Sequence, residues 1–244
     1  MSRLRSLCKF LGSFAFTTAL SLLITTASLA EITSYESMKP LLVSLFVEKI
    51  AGDSAKAAET YAQLLAYCQS RDSVEMPMDS EKIEVKCSDI KSSRPEDINN
   101  VIASAMFDKV YYKKYSCSFV DCIKSGGDNL LIVASSTGNK FFQDSIVYTA
   151  AATAIGAVII LVLAETFAGR LKTLGADCMS VGALAFLILL SVIILPKFIP
   201  AESLGNIGEF LGAITNTMTV RFLFVFAAGA VLFATGFFTG RKKR

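Results

Sequence analysis

Three long apolar segments in the second half of the chain constrain its fold more than any other feature. They cover residues 145–167, 180–199 and 220–238 and hold very few charged side chains. A helix needs about 20 mostly apolar residues to cross a hydrocarbon core of about 30 Å, and each segment is long enough. The sequence therefore predicts three transmembrane helices in this half of the chain.

Residues 1–30 have the three parts of a secretory signal peptide. Basic residues come first, an apolar run covers residues 10–26, and the small residues Ser28 and Ala30 permit cleavage after Ala30. An uncleaved signal anchor is the alternative, because the apolar run approaches the length that spans a bilayer. Cleavage is the favoured interpretation.

The basic residues near the apolar segments predict the orientation, because cytoplasmic loops carry an excess of Lys and Arg. Residues 168–179 and the tail 239–244 are rich in basic side chains, whereas residues 200–219 have none. We expect a multi-pass protein of the cell membrane, with residues 31–144 and 200–219 outside and the two basic segments in the cytoplasm. The basic residues that determine this topology are Arg170, Lys172, Arg241, Lys242, Lys243 and Arg244.

Residues 31–144 predict a mainly helical exported domain, which makes the fold class all-α. Apolar residues recur at helical spacing in residues 35–50 and again between Asp53 and Cys68. Residues 93–96, Ser-Arg-Pro-Glu, fit a capping box that opens a third helix with proline in its first turn.

Two shorter segments of this domain lack the helical period. Residues 70–79 are polar and contain Pro77, which predicts a loop. Residues 82–87 alternate apolar and polar side chains, which predicts a short strand.

Four cysteines, Cys68, Cys87, Cys117 and Cys122, fall within residues 31–144. In an oxidising compartment four cysteines suggest two disulfides, with three connectivities open. Because near neighbours meet most often, the sequence favours Cys68–Cys87 and Cys117–Cys122. A zinc site of four thiolates is the alternative, but no pair has the C-x₂-C spacing that such sites favour.

The chain contains no histidine, which excludes Ser-His-Asp and Cys-His catalysis. No phosphate-binding G-x-x-x-x-G-K-[ST] loop is present either. Residues 31–144 hold 13 Lys and Arg against 17 Asp and Glu, and no basic patch points to nucleic acid. We therefore expect no enzyme and no cofactor or metal, with the lipid bilayer and another membrane or envelope protein as partners.

Glu165 is the one acidic residue inside a predicted span, two residues before its cytoplasmic end. Charged groups in membranes are costly and often functional. So near the border, an interfacial carboxylate that pairs with Arg170 or Lys172 is the favoured interpretation. A pore would need polar residues at mid-depth, and the three spans have almost none.

Small residues crowd the first and third spans, and Gly236 and Gly240 form a G-x-x-x-G motif. Small residues let helices approach closely in lipid. Packing within one chain is favoured over a homo-oligomer. Between the second and third spans, Leu204, Ile207 and Phe210 recur at helical spacing. They predict a short amphipathic segment that lies on the outer membrane surface or under the exported domain.

The leading functional hypothesis is a non-enzymatic membrane protein of the cell envelope. It presents its exported domain for protein binding or complex assembly. A small channel or transporter-type subunit that acts as a homo-oligomer is the alternative.

Overall fold

The computed structural model describes residues 2–50, 54–78, 81–184, 187 and 207–241. The chain divides into two compact units. Met1–Ile32 and Lys140–Arg244 form the first, here called the bundle, and Thr33–Asn139 form the second, here called the domain. In chain order the elements are α1 (Ser2–Ile32), α2 (Tyr35–Ile50), α3 (Ser54–Tyr67), β1 (Ser73–Met78), β2 (Glu81–Lys86), α4 (Cys87–Ser92), α5 (Ile98–Tyr111), α6 (Phe119–Ser125), α7 (Ser136–Leu163), α8 (Phe167–Gly182) and α9 (Ile207–Arg241).

Three helical segments of the bundle are long and apolar enough to span a membrane. They are Leu7–Ile32 in α1, Ser136–Leu163 in α7 and Thr215–Gly240 in α9. The last two overlap the predicted spans 145–167 and 220–238, so the structure has a long apolar helix at each of these positions. Of the predicted span 180–199, the structure describes residues 180–184 and 187, and the rest lies outside the described part of the chain.

Residues 168–179, predicted as a loop, belong instead to helix α8. Thr166 starts this helix, because its side-chain oxygen accepts the N–H of Gly169 at 3.1 Å. Hydropathy alone missed the helix because it carries Arg170, Lys172 and Asp177.

The outer loop predicted over residues 200–219 is also different in the structure. From Ile207 onward the backbone is helical and continues without a break into the span of α9. Residues 201–206 lie outside the described part of the chain. The spacing of apolar residues in this segment correctly predicts a helix, but from residue 207 onward that helix is part of α9.

Glycines bring α8 and α9 into backbone contact along an antiparallel seam. A Cβ added at Gly175 would lie 2.4 Å from the backbone nitrogen of Phe233, and one at Gly182 would lie 2.4 Å from the Cβ of Phe226. From the other helix, a Cβ at Gly229 would lie 2.7 Å from the backbone nitrogen of Met179. Atoms this close leave no room for a side chain, so the helices approach as closely as their backbones allow.

Helix α1 is packed into the bundle on two sides. It runs antiparallel to α7, where a Cβ added at Gly156 would lie 2.9 Å from the Cα of Phe16. Against α8 and α9, its Ile24 is buried in a cluster with Val181 and Phe222. The N-terminal segment therefore has specific apolar contacts with each of the three other described helices of the bundle.

The domain has a mixed core in which three helices and a hairpin meet. Strands β1 and β2 form an antiparallel two-stranded sheet. The inner face of the hairpin packs against α3, α4 and α5. The buried residues of this core are Leu64, Cys68, Val74, Ile83, Val85, Cys87, Ile90, Ile98 and Ile102.

The predicted helix over residues 35–50 agrees with the bounds of α2, and α3 covers the predicted second helix. Strand β2 confirms the alternation seen in residues 82–87. The predicted loop at 70–79 is wrong, because residues 73–78 form β1. The chain is mostly helical, but the hairpin makes the strict all-α assignment too simple.

The predicted capping box at residues 93–96 is not formed. The Ser93 hydroxyl donates backward to the Ile90 carbonyl at 2.9 Å, and the next helical turn begins after Arg94 with no side-chain cap. Pro95–Asp97 instead form a 3-10 turn, and α5 begins at Ile98 without a side-chain cap.

We predict that Gly229→Ala destabilises the bundle by about 1–3 kcal/mol, the usual cost of overpacking. The new methyl group would meet the backbone of α8. Gly212→Ala is the matched control on the same helix, since nothing lies within 4 Å of an added Cβ there. Denaturation of both variants in detergent, followed by loss of helical circular dichroism, measures the difference. Equal stability of the two variants would contradict the seam.

Candidate functional site

The hairpin has one buried and one exposed face, as its sequence alternation requires. Val74 of β1 and Ile83 and Val85 of β2 point into the core. Glu75 and Lys82 lie on the other face, where the Lys82 Nζ is 2.8 Å from a Glu75 carboxylate oxygen. This surface pair holds the pKa of the Glu75 carboxyl below its usual value, first through the hydrogen bond and then through the charge of Lys82.

Two disulfides fasten the domain, and both pairings agree with the prediction. Cys68 follows α3 and pairs with Cys87, the first residue of α4, with a Cα–Cα distance of 5.4 Å. Cys117 pairs with Cys122 of α6 at a Cα–Cα distance of 5.5 Å. Because each thiol is bonded to its neighbour, the four sulfurs do not form a four-thiolate zinc site. Cys68 and Cys87 lie inside the hydrophobic core, so the first bridge connects α3 to the end of the hairpin.

The register of the hairpin decides which backbone groups each strand leaves free. In an antiparallel pair, opposite residues alternate between pairs that exchange hydrogen bonds and pairs whose N–H and C=O groups point away from the partner strand. Cys87 donates its N–H to the Asp72 carbonyl at 2.8 Å, so these two residues form a hydrogen-bonded pair. Val74 and Val85, two residues further along each strand, therefore also form a hydrogen-bonded pair. The residues with outward backbone groups are therefore Ser73, Glu75 and Pro77 on β1 and Lys82, Glu84 and Lys86 on β2.

The two outer edges of the hairpin differ. On β1, Pro77 stands at an outward position and has no N–H, so this edge lacks a donor. On β2, none of the three outward residues is a proline. Among the described residues no backbone group pairs with the outward N–H of Lys82, Glu84 or Lys86 or with the outward C=O of Lys82 or Glu84. The C=O of Lys86, the N-cap of α4, accepts the first hydrogen bond of that helix. The structure thus leaves β2 as the edge that can still receive a strand.

A cleft of about 830 Å³ lies between this edge and helix α5. Strand β2 forms one wall, and α5 forms the other with the polar stripe Asn100, Ser104 and Asp108. Val101 and Ala105, at the same i, i+4 spacing, add apolar surface beside that stripe. The full lining is Glu75, Lys82, Glu84, Val85, Lys86, Asp89, Asp97, Asn100, Val101, Ser104, Ala105, Asp108, Lys109 and Tyr112.

The cleft has an excess of negative charge. Its lining holds five carboxylates and three ammonium groups, all of them identified above. The Glu75 carboxylate is paired with Lys82, and Lys86 and Lys109 are the other two cations. The lining as a whole therefore favours a cationic ligand.

An aromatic and charged network supports one end of the cleft. The Tyr35 hydroxyl donates to a carboxylate oxygen of Asp108 at 2.7 Å and accepts from the Lys39 Nζ at 2.7 Å. Burial raises the pKa of the Tyr35 hydroxyl, and the hydrogen bond to Tyr35 raises the pKa of Lys39. At neutral pH the tyrosine is therefore neutral and the lysine charged, which keeps both hydrogen bonds in place. The Tyr35 ring also packs on Tyr112, which lines the cleft, with 5.8 Å between centroids.

Glu165 does not lie inside a helix. Helix α7 ends at Leu163, and Glu165 is an exposed residue of the three-residue linker to α8. The chain turns there because Thr166 caps α8 and the Arg170 Nε donates to the Ala164 carbonyl at 3.2 Å. Helix α7 therefore ends four residues before the predicted span 145–167 does, and the interfacial position of Glu165 stays a prediction.

The described basic residues of the two segments that we predict to be cytoplasmic lie at the same end of the bundle. Arg170 and Lys172 are in the first turns of α8, and Lys172 lies beside Gly240 at the end of α9, with its Nζ 5.1 Å from the centroid of Phe237. Arg241 is the last residue of α9, and residues 242–244 lie outside the described part of the chain.

Asp177 is the acidic residue that sequence reasoning overlooked. It was assigned to a loop, but it lies on α8 and accepts a hydrogen bond from the Ser13 hydroxyl of α1. Ser13 belongs to a segment long and apolar enough to span a membrane. No local pattern pairs residues this far apart in sequence, and only the packing of α1 against α8 brings them together.

Comparisons of the chain with known proteins do not identify a functional site. No protein family, curated protein or solved structure matches the chain. Within the described ranges no group of three or more Cys, Asp or Glu side chains is arranged to hold a metal ion. The cleft beside β2 is therefore the candidate functional site.

We predict that loss of the first disulfide destabilises the domain more than loss of the second. The chain-entropy relation gives about 3 kcal/mol for a loop of 19 residues and about 2 kcal/mol for one of five. Burial of Cys68 and Cys87 in the core adds to the difference. The variants Cys68→Ala/Cys87→Ala and Cys117→Ala/Cys122→Ala are compared by trypsin resistance of the domain within the full chain. Greater resistance in the first variant would contradict this ranking.

Proposed function

We propose that this chain is a non-enzymatic multi-pass membrane protein that presents its domain outside the membrane for binding to another protein. The observation that carries this proposal is the position of the domain in the chain. It is inserted between α1 and α7, two helices long and apolar enough to span a membrane. Its two disulfides suit an oxidising compartment.

The proposal includes retention of α1 in the mature protein. Removal of residues 1–30 would take away Phe16 and Ile24, which are buried in the bundle. It would also leave Asp177 of α8 without the hydroxyl of Ser13. A carboxylate in an apolar bundle is costly unless it is hydrogen-bonded. These contacts favour an uncleaved signal anchor over the cleaved signal peptide.

The charges at the two ends of the bundle support the orientation with the domain outside. Arg170 and Lys172 lie at the end of the bundle where α9 leads into the basic tail. At the other end of α1, Glu31 forms an ion pair with Arg221 of α9. An excess of basic groups at one end is typical of the cytoplasmic side.

Binding, and not catalysis, fits the residues of the cleft best. The chain contains no histidine, and the cleft combines carboxylates, ammonium groups and a free strand edge. Strand edges of this kind bind proteins through backbone hydrogen bonds.

Retention of α1 is tested by mass spectrometry of the purified protein. We expect an intact mass that matches the full chain of 26.3 kDa. A second chain, in which a cleavable leader replaces residues 1–30, is expected to accumulate poorly, because its bundle lacks a helix. A mature protein that begins at Glu31 would overturn this part of the proposal and leave the binding function untouched.

Protein binding is tested by photo-crosslinking in intact cells. A photoreactive residue replaces Lys91, Lys109 or Lys124, which are exposed on three different helices of the domain. We expect a discrete adduct with another protein from at least one of them. Phe224, 75% exposed on α9, is the control position in the bundle, where lipid is the expected neighbour. Adducts between copies of this chain alone would favour the channel alternative, and no adduct from the domain would refute the proposal.

A further inference from the structure

The outer edge of β2 and helix α5 line a groove that is as long as a short extended peptide. Strand β2 has six residues, which at about 3.3 Å each make an edge of about 20 Å. Helix α5 has 14 residues, which at 1.5 Å rise gives a length of about 21 Å. Residues from Lys82 to Lys86 of β2 and from Asn100 to Lys109 of α5 line the cleft, so most of both elements contributes to it.

We infer that this groove binds an extended segment of another protein, rich in Lys or Arg, as a third strand beside β2. This inference deepens the proposed function and depends on it. The outward N–H groups of Lys82, Glu84 and Lys86 and the outward C=O groups of Lys82 and Glu84 supply the backbone hydrogen bonds. They recur at every second residue, which is the period of a strand that pairs with them.

The negative charge of the cleft favours a segment with basic side chains. Glu84, Asp89 and Asp97 line the cleft, and none of the described ion pairs includes them. Side chains of a bound strand alternate between its two faces, so basic residues at every second position would reach them together. Lys82 and Lys86 repel a segment whose basic side chains are in the wrong register, and they limit unspecific pairing at this edge.

The hairpin itself indicates which edge is the binding edge. Pro77 removes a donor from the outer edge of β1, and α3 lines the smaller cleft beside that strand. The corresponding position on β2 is Lys82, which keeps its N–H. The two strands are thus equal in length but differ in their capacity to accept a partner.

The test uses the full chain in detergent and a synthetic peptide of alternating threonine and lysine. We expect this peptide to bind and to slow hydrogen exchange at the amides of Lys82, Glu84 and Lys86. The amides of Ser73 and Glu75, which point outward on the other edge, are the internal control and are expected to stay unchanged. A peptide of alternating threonine and glutamate is expected not to bind.

A matched pair of variants separates the backbone from the charge. Lys86 has φ −71°, which proline adopts without strain. Lys86→Pro removes the charge and the N–H, whereas Lys86→Gln removes the charge alone. We expect the proline variant to bind the lysine peptide roughly tenfold more weakly than the glutamine variant. The proline lacks the N–H that donates to the bound strand, and its ring occupies the space beside that position. Unchanged resistance of both variants to trypsin verifies the fold.

Two results would overturn the inference. One is failure of the lysine peptide to bind, and the other is equal binding by the two Lys86 variants. In either case adducts at Lys91 or Lys124 in intact cells would still support protein binding by another face of the domain. Absence of adducts from all three crosslinking positions would instead remove the proposed function itself.

Discussion

Thr33 closes the domain at the two points where the chain enters and leaves it. Its carbonyl accepts a hydrogen bond from the hydroxyl of Tyr111 at 3.3 Å, and its hydroxyl accepts one from the side-chain amide of Asn139 at 3.1 Å. Thr33 and Asn139 are both buried, so these hydrogen bonds avoid a large desolvation cost. Closing a loop as long as the domain costs entropy, although that cost grows slowly with length. These hydrogen bonds hold together the two ends of the domain, where the chain comes from α1 and continues into α7.

The apolar length of the helices could be predicted from the sequence, because backbone hydrogen bonds in lipid must be satisfied within each segment. The bounds of α2 could be predicted for a different reason, because its apolar residues recur at the period of a helix. Helix α8 was missed because its place is decided by Gly175 and Gly182 against the backbone of α9. A glycine in a sequence is compatible with a turn and with a close contact between helices. The partner helix is needed to tell these two cases apart.

The candidate site was less predictable than the fold, and the reason is physical. Strand β2 could be recognised, but β1 was hidden by Pro77, which is tolerated because its missing N–H points outward. Val74 and Met76 already mirror Ile83 and Val85 around a short turn, and this symmetry was the available signal. The cleft needs in addition the placement of α5 beside β2, which depends on core packing and the Cys68–Cys87 bridge.

The seam glycines of α8 and α9 recur seven residues apart, at 175 and 182 and at 229 and 236. Seven residues fall about 20° short of two full turns of a straight helix, so helices that keep this contact wrap around each other with a left-handed coil. A single inserted or deleted residue between two of these glycines would rotate the second by about 100° and turn it away from the partner. The length of each helix between its glycines is therefore under stricter constraint than the identity of the residues that face lipid.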